Sequence, residues 1–169
     1  MKKIILTFLT LVSFELASRA QIAFVDSKFI LGRMTDYQDS LSKINQQALI
    51  WQKEIDDKQA IVDQMNKDFE RDEVMLSDEI KKKRSDDLFF HVKEVRDLQR
   101  ARFGFEGDLF KMKQEMLKPM EDSVKNGIQK TANRLSFTII LDKSEGITVI
   151  YANPRLDITH EVMKDMNVL

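Results

Sequence analysis

The stretch from Tyr37 to Leu76 limits what this chain can fold into more than any other. Apolar residues recur along it at alternating steps of four and three: Tyr37, Leu41, Ile44, Ala48, Trp51, Ile55, then Val62, Met65, Phe69 and Leu76. Lys58 and Asp72 occupy the two positions that break the series. A mean step of 3.5 residues marks a coiled-coil seam, narrower than the apolar face of a helix packed into a globular core. No proline or glycine occurs between Asp36 and Phe103. At ~1.5 Å per residue, the roughly 40 residues to Leu76 reach about 60 Å, so the element is expected to project from any compact body. Thr35 and Gln38 stand at capping-box spacing, which predicts a helix start near Asp36.

A second helical pattern runs from about Asp78 to Asn133. Ser77 before Asp78 and Glu79 suits a helix start, with a hydroxyl to cap and acids at the positive end of the macrodipole. Its better-ordered half is Phe105, Leu109, Met112, Met116, Met120, Val124, Ile128, Thr131 and Leu135, and Pro119 is expected to kink it or loosen one backbone bond.

The two ends read differently. Residues 1–20 have a basic start (Lys2, Lys3), an apolar run from Ile4 to Phe14 and small residues at Ser18 and Ala20. This is the plan of a cleavable export signal, too short for a membrane span. Ile22–Val25 reads as a buried strand, and Asp26 as the cap of a short helix through Met34. Phe137–Leu141 and Ile147–Tyr151 are β-branched and aromatic runs joined by five residues, a β-hairpin signal. Asn153-Pro154 turns the chain, and Asp157–Thr159 starts a last helix carrying Val162, Met163 and Met166. The fold class is therefore α+β: a small β body plus a long α-helical coiled coil. Three short strands and a narrow seam bury little, so association with further copies is expected from burial alone.

Little in the chain points to catalysis. There is no cysteine, hence no disulfide, thiolate metal site or thiol nucleophile. His91 and His160 lie far apart and lack a carboxylate at metal-ligand spacing; Asp56-Asp57 and Asp86-Asp87 are adjacent helical residues that do not face each other. Glycine-rich phosphate loops and HExxH stretches are missing from the sequence. The expectation is a non-enzyme with no cofactor, catalytic residue or metal. Removing residues 1–20 takes three basic residues and one acidic residue from a formal charge of −1, leaving −3. That argues against nucleic acid as a partner and gives no support to membrane contact. The basic run Lys81–Arg84 is offset by Asp78, Glu79, Asp86 and Asp87 and reads as a solvated face.

The aromatic excess is more informative. Phe89 and Phe90 are neighbours pointing ~100° apart, so one seam cannot bury both. Either another chain covers the second ring or it is left for a ligand. Phe103, Phe105 and Phe110 crowd a stretch loosened by Gly104 and Gly107. Phe89, Phe90, Phe103, Phe105, Phe110, Met112 and Met116 are the candidates for contact with apolar partners, since such a surface can re-pack around varied clients. The plainer alternative is that they pack the helices and their neighbours.

The sequence IAFVDSKFILGRM, the coiled-coil stretch, RFGFEGDLFKMKQEMLKPM and the closing ILDKSEGITVIYANPRLDITHEVMKDM together resemble the periplasmic chaperone Skp (OmpH-like) family, in its Bacteroidetes-type form. The tail is the most specific part: Asp142-Lys143-Ser144, Tyr151-Ala152-Asn153-Pro154 and Asp157-Ile158-Thr159. The resemblance implies a chain reversal near Leu76–Ser77 and an antiparallel hairpin arm over residues 36–133. It also implies a discontinuous trimerisation body from 21–35 and 134–169. Ile22, Phe24, Ile139, Leu141, Val149 and Tyr151 are then the trimer-body candidates. Three arms would enclose a cavity for unfolded outer-membrane proteins, which the homotrimer would hold without ATP in the periplasm. On this reading the seam is covered by the returning helix, near Pro119 at the root and Phe89 toward the tip. The alternative is a structural coiled-coil envelope protein that binds one folded partner. A third reading, a lipid contact through Lys81–Arg84, predicts salt-sensitive association with anionic vesicles. The family's lipid role is not carried over to this near-neutral chain.

Overall fold

The computed structural model describes residues 21–144, 146 and 150–168. The expected export signal lies outside the described residues, as do Ile147, Thr148 and Val149 of the expected second hairpin strand. The elements in order are β1 (Ile22–Val25), α1 (Ser27–Arg33), α2 (Thr35–Asp72), a 3-10 turn (Glu73–Met75) and α3 (Asp78–Phe103). Then come α4 (Asp108–Met116), α5 (Lys118–Arg134), β2 (Ile139–Asp142), a 3-10 turn (Pro154–Leu156) and α6 (Thr159–Asp165). The chain divides into two units, Thr35–Met120 and the remainder on both sides of it.

In the helical unit, α2 runs unbroken over 38 residues. Every seam position from Tyr37 to Leu76, Lys58 and Asp72 included, is at least half-buried, and Ile44, Ile55 and Val62 are buried outright. The chain reverses through the 3-10 turn, with Ser77 in extended conformation before α3. Helix α3 then runs antiparallel to α2. Ile55 and Val62 form one cluster with Val95, flanked by Leu88, Val92, Leu98 and Phe103. Arg84 pairs with Asp72 at 3.0 Å, Arg102 with Glu54 at 3.3 Å, and Phe103 stands edge-on to Trp51 with centroids 6.5 Å apart. The expected continuous return helix is not found. It is broken at Gly104–Gly107 and again at Leu117. Pro119 sits in the first turn of α5, where its missing N–H leaves no helix bond unmade, so it marks a joint between helices.

The other unit is built on β1. Ala23 and Val25 face inward and join Ile30, Leu31, Val124, Ala132, Ile158, Val162 and Met163 in a buried core. Of the two expected hairpin strands, the first is found as β2 and the second falls mostly on Ile147, Thr148 and Val149, outside the described residues. Strand β2 pairs parallel with β1, Ile22 opposite Ile139 and Phe24 opposite Leu141. Ile150 and Tyr151 are exposed and belong to no strand. A β-branched run states that it will pair but not with what, and a parallel partner needs a long crossover, here the whole helical stretch. On the other edge of β1, Ile158 N–H donates to Phe24 C=O at 2.9 Å.

Carboxylates fasten this unit. Asp26 caps α1, accepting from the Phe29 N–H at 2.9 Å. Asp142 accepts from the Ser27 N–H at 3.2 Å, the Ser144 N–H at 2.9 Å and the Ser144 hydroxyl at 2.7 Å. Asp157 accepts from Thr159 and from Lys143 Nζ at 2.7 Å, and the Asp26 N–H donates to Thr159 Oγ1 at 3.0 Å. The fully buried Thr131 hydroxyl donates to Asp165 at 2.8 Å, which also pairs with Arg134. The DKS and DIT segments thus fold into one set of turns around the end of β1. Burial alone would raise the Asp142 carboxyl. The donors from Ser27 and Ser144 outweigh it and hold its pKa below the ordinary 3.8. Asp157 likewise ends below that value, burial being outweighed by Lys143 and Thr159.

A depressed folded pKa contributes stability that is fully present above the unfolded value and is lost as pH falls through the folded one. The resistance of this unit to urea is therefore expected to fall below about pH 4. Asp142→Asn is expected to cost about 2 kcal/mol at pH 7 and to flatten that acid dependence. An unchanged acid slope in the variant would show that Asp142 is not one of the groups responsible.

Candidate functional site

A seam of period 3.5 can close only one stripe of each helix, and this sequence carries more large apolar residues than one stripe holds. The run Ala48-Leu49-Ile50-Trp51 shows the excess. Ala48 and Trp51 take the seam, leaving Leu49 and Ile50 exposed. The same rule leaves Phe89 at 73% and Phe90 at 58% exposure while Leu88, Val92 and Val95 face α2. Ile61, Ile80 and, at the reversal, Val74 and Met75 are exposed too. Leu49, Ile50, Ile61, Val74, Met75 and Ile80 are absent from the sequence-derived candidates. The adjacency argument that singled out Phe89-Phe90 applies equally to Leu49-Ile50 and would have found that pair.

The seven candidates do not share one environment. Phe89, Phe90, Phe105 and Phe110 are exposed. Met112 and Met116 are half-buried, and Phe103 packs its ring against Trp51 and the seam cluster. Phe105, placed by its spacing on the seam, is the most exposed of them at 94%.

Its exposure follows from the interruption between α3 and α4. Gly104 N–H donates to Arg100 C=O at 2.8 Å, and Gly107 N–H to Gly104 C=O at 3.0 Å, so the chain folds tightly back on itself. A Cβ on Gly104 would collide with the Arg100 carbonyl oxygen. One on Gly107 would lie 2.7 Å from that of Ala101. Between them Glu106 takes a positive φ of 54°, which non-glycine residues rarely adopt. Arg102 braces the break, 2.6 Å from Asp108 and 3.3 Å from Glu54, with its guanidinium 5.1 Å from the Trp51 ring centroid. Leaving Phe105 in water forgoes about 2 kcal/mol of burial. Carrying two glycines inside an unbroken helix costs about 1 kcal/mol each. The two nearly cancel, so the contacts of Arg102 decide.

Two hollows lie along the paired helices. One, of about 380 Å³, is lined by Met65, Asp68, Phe69, Arg71, Asp72, Arg84 and Asp87. Four of its five charged residues pair with one another: Arg71 with Asp68 at 2.9 Å and Asp72 at 3.0 Å, and Arg84 with Asp72. Hydrogen bonds from Arg71 and Arg84 hold the Asp72 pKa below its ordinary value. The other, of about 100 Å³, lies among Lys58, Ile61, Val62, His91, Glu94 and Val95. His91 does have a carboxylate neighbour that the sequence reading missed, Glu94 at 3.1 Å one turn on. His160 stands edge-on to Phe29. Among the described residues no group of three His, Asp or Glu side chains is placed to hold a metal ion. The arrangement offers spread-out apolar contact beside one hollow of largely paired charges.

In the other unit, four of the six trimer-body candidates come together. Ile22 pairs with Ile139 and Phe24 with Leu141, all on the sheet face turned away from Ala23 and Val25. Ile22 and Ile139 are exposed in the single chain. Tyr151 is exposed outside the sheet, and Val149 lies outside the described residues.

A family model described as outer membrane protein (OmpH-like) matches residues 21–166. Among solved structures the chain is similar to an OmpH-like protein of Caulobacter crescentus CB15, a proposed outer membrane chaperone. The identity is 14% and the TM-score 0.63, over 89% of this chain and 85% of that one. At that identity the likeness is one of fold. No curated protein matches the chain.

The exposures separate packing from display. Phe103→Ala is expected to destabilise the helical unit by about 3 kcal/mol, whereas Phe89→Ser and Phe90→Ser are expected to stay within about 0.5 kcal/mol of the parent. Urea midpoints of the three variants check this.

Proposed function

The chain belongs to the OmpH-like outer membrane protein family, and on that footing we propose that it is an ATP-independent holdase chaperone. Its clients are unfolded outer-membrane proteins in the periplasm, reached after a signal at residues 1–20 is cleaved. Family membership supports the chaperone role. The observation that carries the holdase reading is the exposure of Leu49, Ile50, Ile61, Phe89 and Phe90 on helices already packed on each other, and of Phe105 in the break between α3 and α4. These side chains are not needed to hold α2 and α3 together, so they are free for another chain.

An unfolded β-barrel precursor carries alternating apolar strands with unpaired edges, which associate edge to edge. Many separate apolar contacts, each worth no more than about 2 kcal/mol, hold such a chain without fixing a conformation. They also let it go without fuel once a better partner is met. Flexible Met112 and Met116 beside the phenylalanines suit varied clients.

In this reading residues 36–133 form an arm, and residues 21–35 with 134–169 form a body that assembles as a homotrimer, the three arms bounding the client cavity. The apolar face of Ile22, Phe24, Ile139 and Leu141 supports the assembly. A two-stranded sheet is marginal by itself, and this face gains burial when copies meet.

Light scattering of a diluted, denatured porin tests the proposal. The parent chain is expected to run as a trimer in light scattering coupled to size exclusion and to suppress aggregation of several unrelated barrels. Replacing the exposed Phe89, Phe90, Phe105 and Phe110 by serine is expected to abolish most of that suppression while the trimer persists. Full suppression by the intact variant trimer would sink the assignment. Protection of one native protein alone would point to a structural spacer.

A further inference from the structure

We infer that Arg102–Asp108 is a two-position latch, in which Phe105 is either displayed to solvent, as here, or seated on the α2 seam by an unbroken helix running from α3 into α4. Three independent observations converge on it. The first is register. Val95, Leu98, Arg102, Phe105, Leu109, Met112 and Met116 follow one another at steps of three and four, the seam period, straight through the break. All of these except Phe105 are buried or half-buried. The sequence therefore keeps a seam position for a ring that the structure ejects.

The second is a place to receive it. Phe103 meets Trp51 and Arg102 meets Glu54, so in an unbroken antiparallel helix the next seam position faces the turn from Ala48 to Trp51. Ala48 is the smallest residue on that seam, and it and Trp51 are only half-buried there.

The third is a contact that only the displayed position permits. Residues six apart on a continuous helix are separated by roughly 240° in azimuth and about 9 Å along the axis. Arg102 and Asp108 nevertheless meet at 2.6 Å. Their ion pair exists because the helix is broken, and it must part for the helix to join. Two further features favour release. Arg102 Nε is buried with no hydrogen-bond partner, and Glu106 is held at positive φ. The displayed position is thus held by one ion pair, one ring contact and two glycines, against a seam position beside the half-buried Ala48 and Trp51.

The consequence for client capture rests on the holdase reading: a client side chain that covers Phe105 favours display, and an empty surface permits seating. Binding energy then includes the differential between the two positions.

The latch itself is tested without a client. The chain has one tryptophan, so Trp51→Phe with Phe105→Trp leaves a single indole at the latch. In this form its emission and acrylamide quenching are expected to resemble those of a free indole. Gly104→Ala with Gly107→Ala clashes with the displayed backbone and favours an unbroken helix; it is expected to lower the quenching constant at least threefold. Asp108→Asn removes the ion pair without touching the backbone and is expected to lower it about twofold. With Phe105 retained, amide exchange over residues 103–108 is expected to slow about tenfold in both variants. Unchanged quenching and exchange in both overturns the latch. Should the alanine pair fail to fold, as judged by circular dichroism, reduced quenching in Asp108→Asn carries the result alone. The porin assay is read separately. If the variants seat residue 105 yet suppress aggregation fully, the latch stands and the client role of Phe105 falls; loss of suppression in step with seating supports both.

Discussion

Everything in the helical unit depends on one narrow stripe of contact. The seam from Tyr37 to Leu76 gives each turn of α2 a single partner on the returning chain, and Ile55, Val62 and Val95 are enclosed there. A stripe that narrow satisfies the register of two helices and nothing more. Each further large apolar residue is left outside by geometry, since adjacent helical positions diverge by about 100°. Exposure of Leu49, Ile50, Phe89 and Phe90 is thus the direct result of building a long element from two helices. A third helix on the same face would hide them.

The polar residues complete this division. Arg71, Arg84, Asp68 and Asp72 neutralise one another around the larger hollow, and Lys53 pairs with Asp57 along the outer face. Paired surface charges add little to stability. They keep the helices soluble without building a strong field of either sign. Exposed apolar side chains are thus interspersed with ion pairs such as Lys53–Asp57.

Much of this was legible in the sequence. Every position of α2 that the step of four and three marked is covered, because a helix face repeats locally and its partner need not be known. Asp26 as a cap and Thr159 near the start of α6 were legible for the same reason. Two features were not. Phe105 sits at a seam position by count, but counting assumes an unbroken helix. Whether Gly104 and Gly107 break it depends on Arg102 reaching Asp108, Glu54 and Trp51 at once. Ile139–Asp142 was legible as a strand but not as the parallel neighbour of Ile22–Val25, since its partner lies at the far end of the chain. Local pattern names elements; contacts between distant segments decide how they are joined.

That far partner has a consequence for the order in which the molecule is made. The hydrogen bond from Asp26 to Thr159 spans 133 residues, and β1 finds β2 only across the entire helical stretch. The helix pair, by contrast, closes around a tight turn and needs nothing beyond its own residues. Closing a long loop is slower and entropically dearer than closing a short one. A chain emerging from its amino end therefore zips its helices first, while Ile22–Val25 waits as an unpaired strand until the tail arrives. The sheet face that carries the exposed Ile22 and Ile139 therefore comes into being last, only once the tail has arrived.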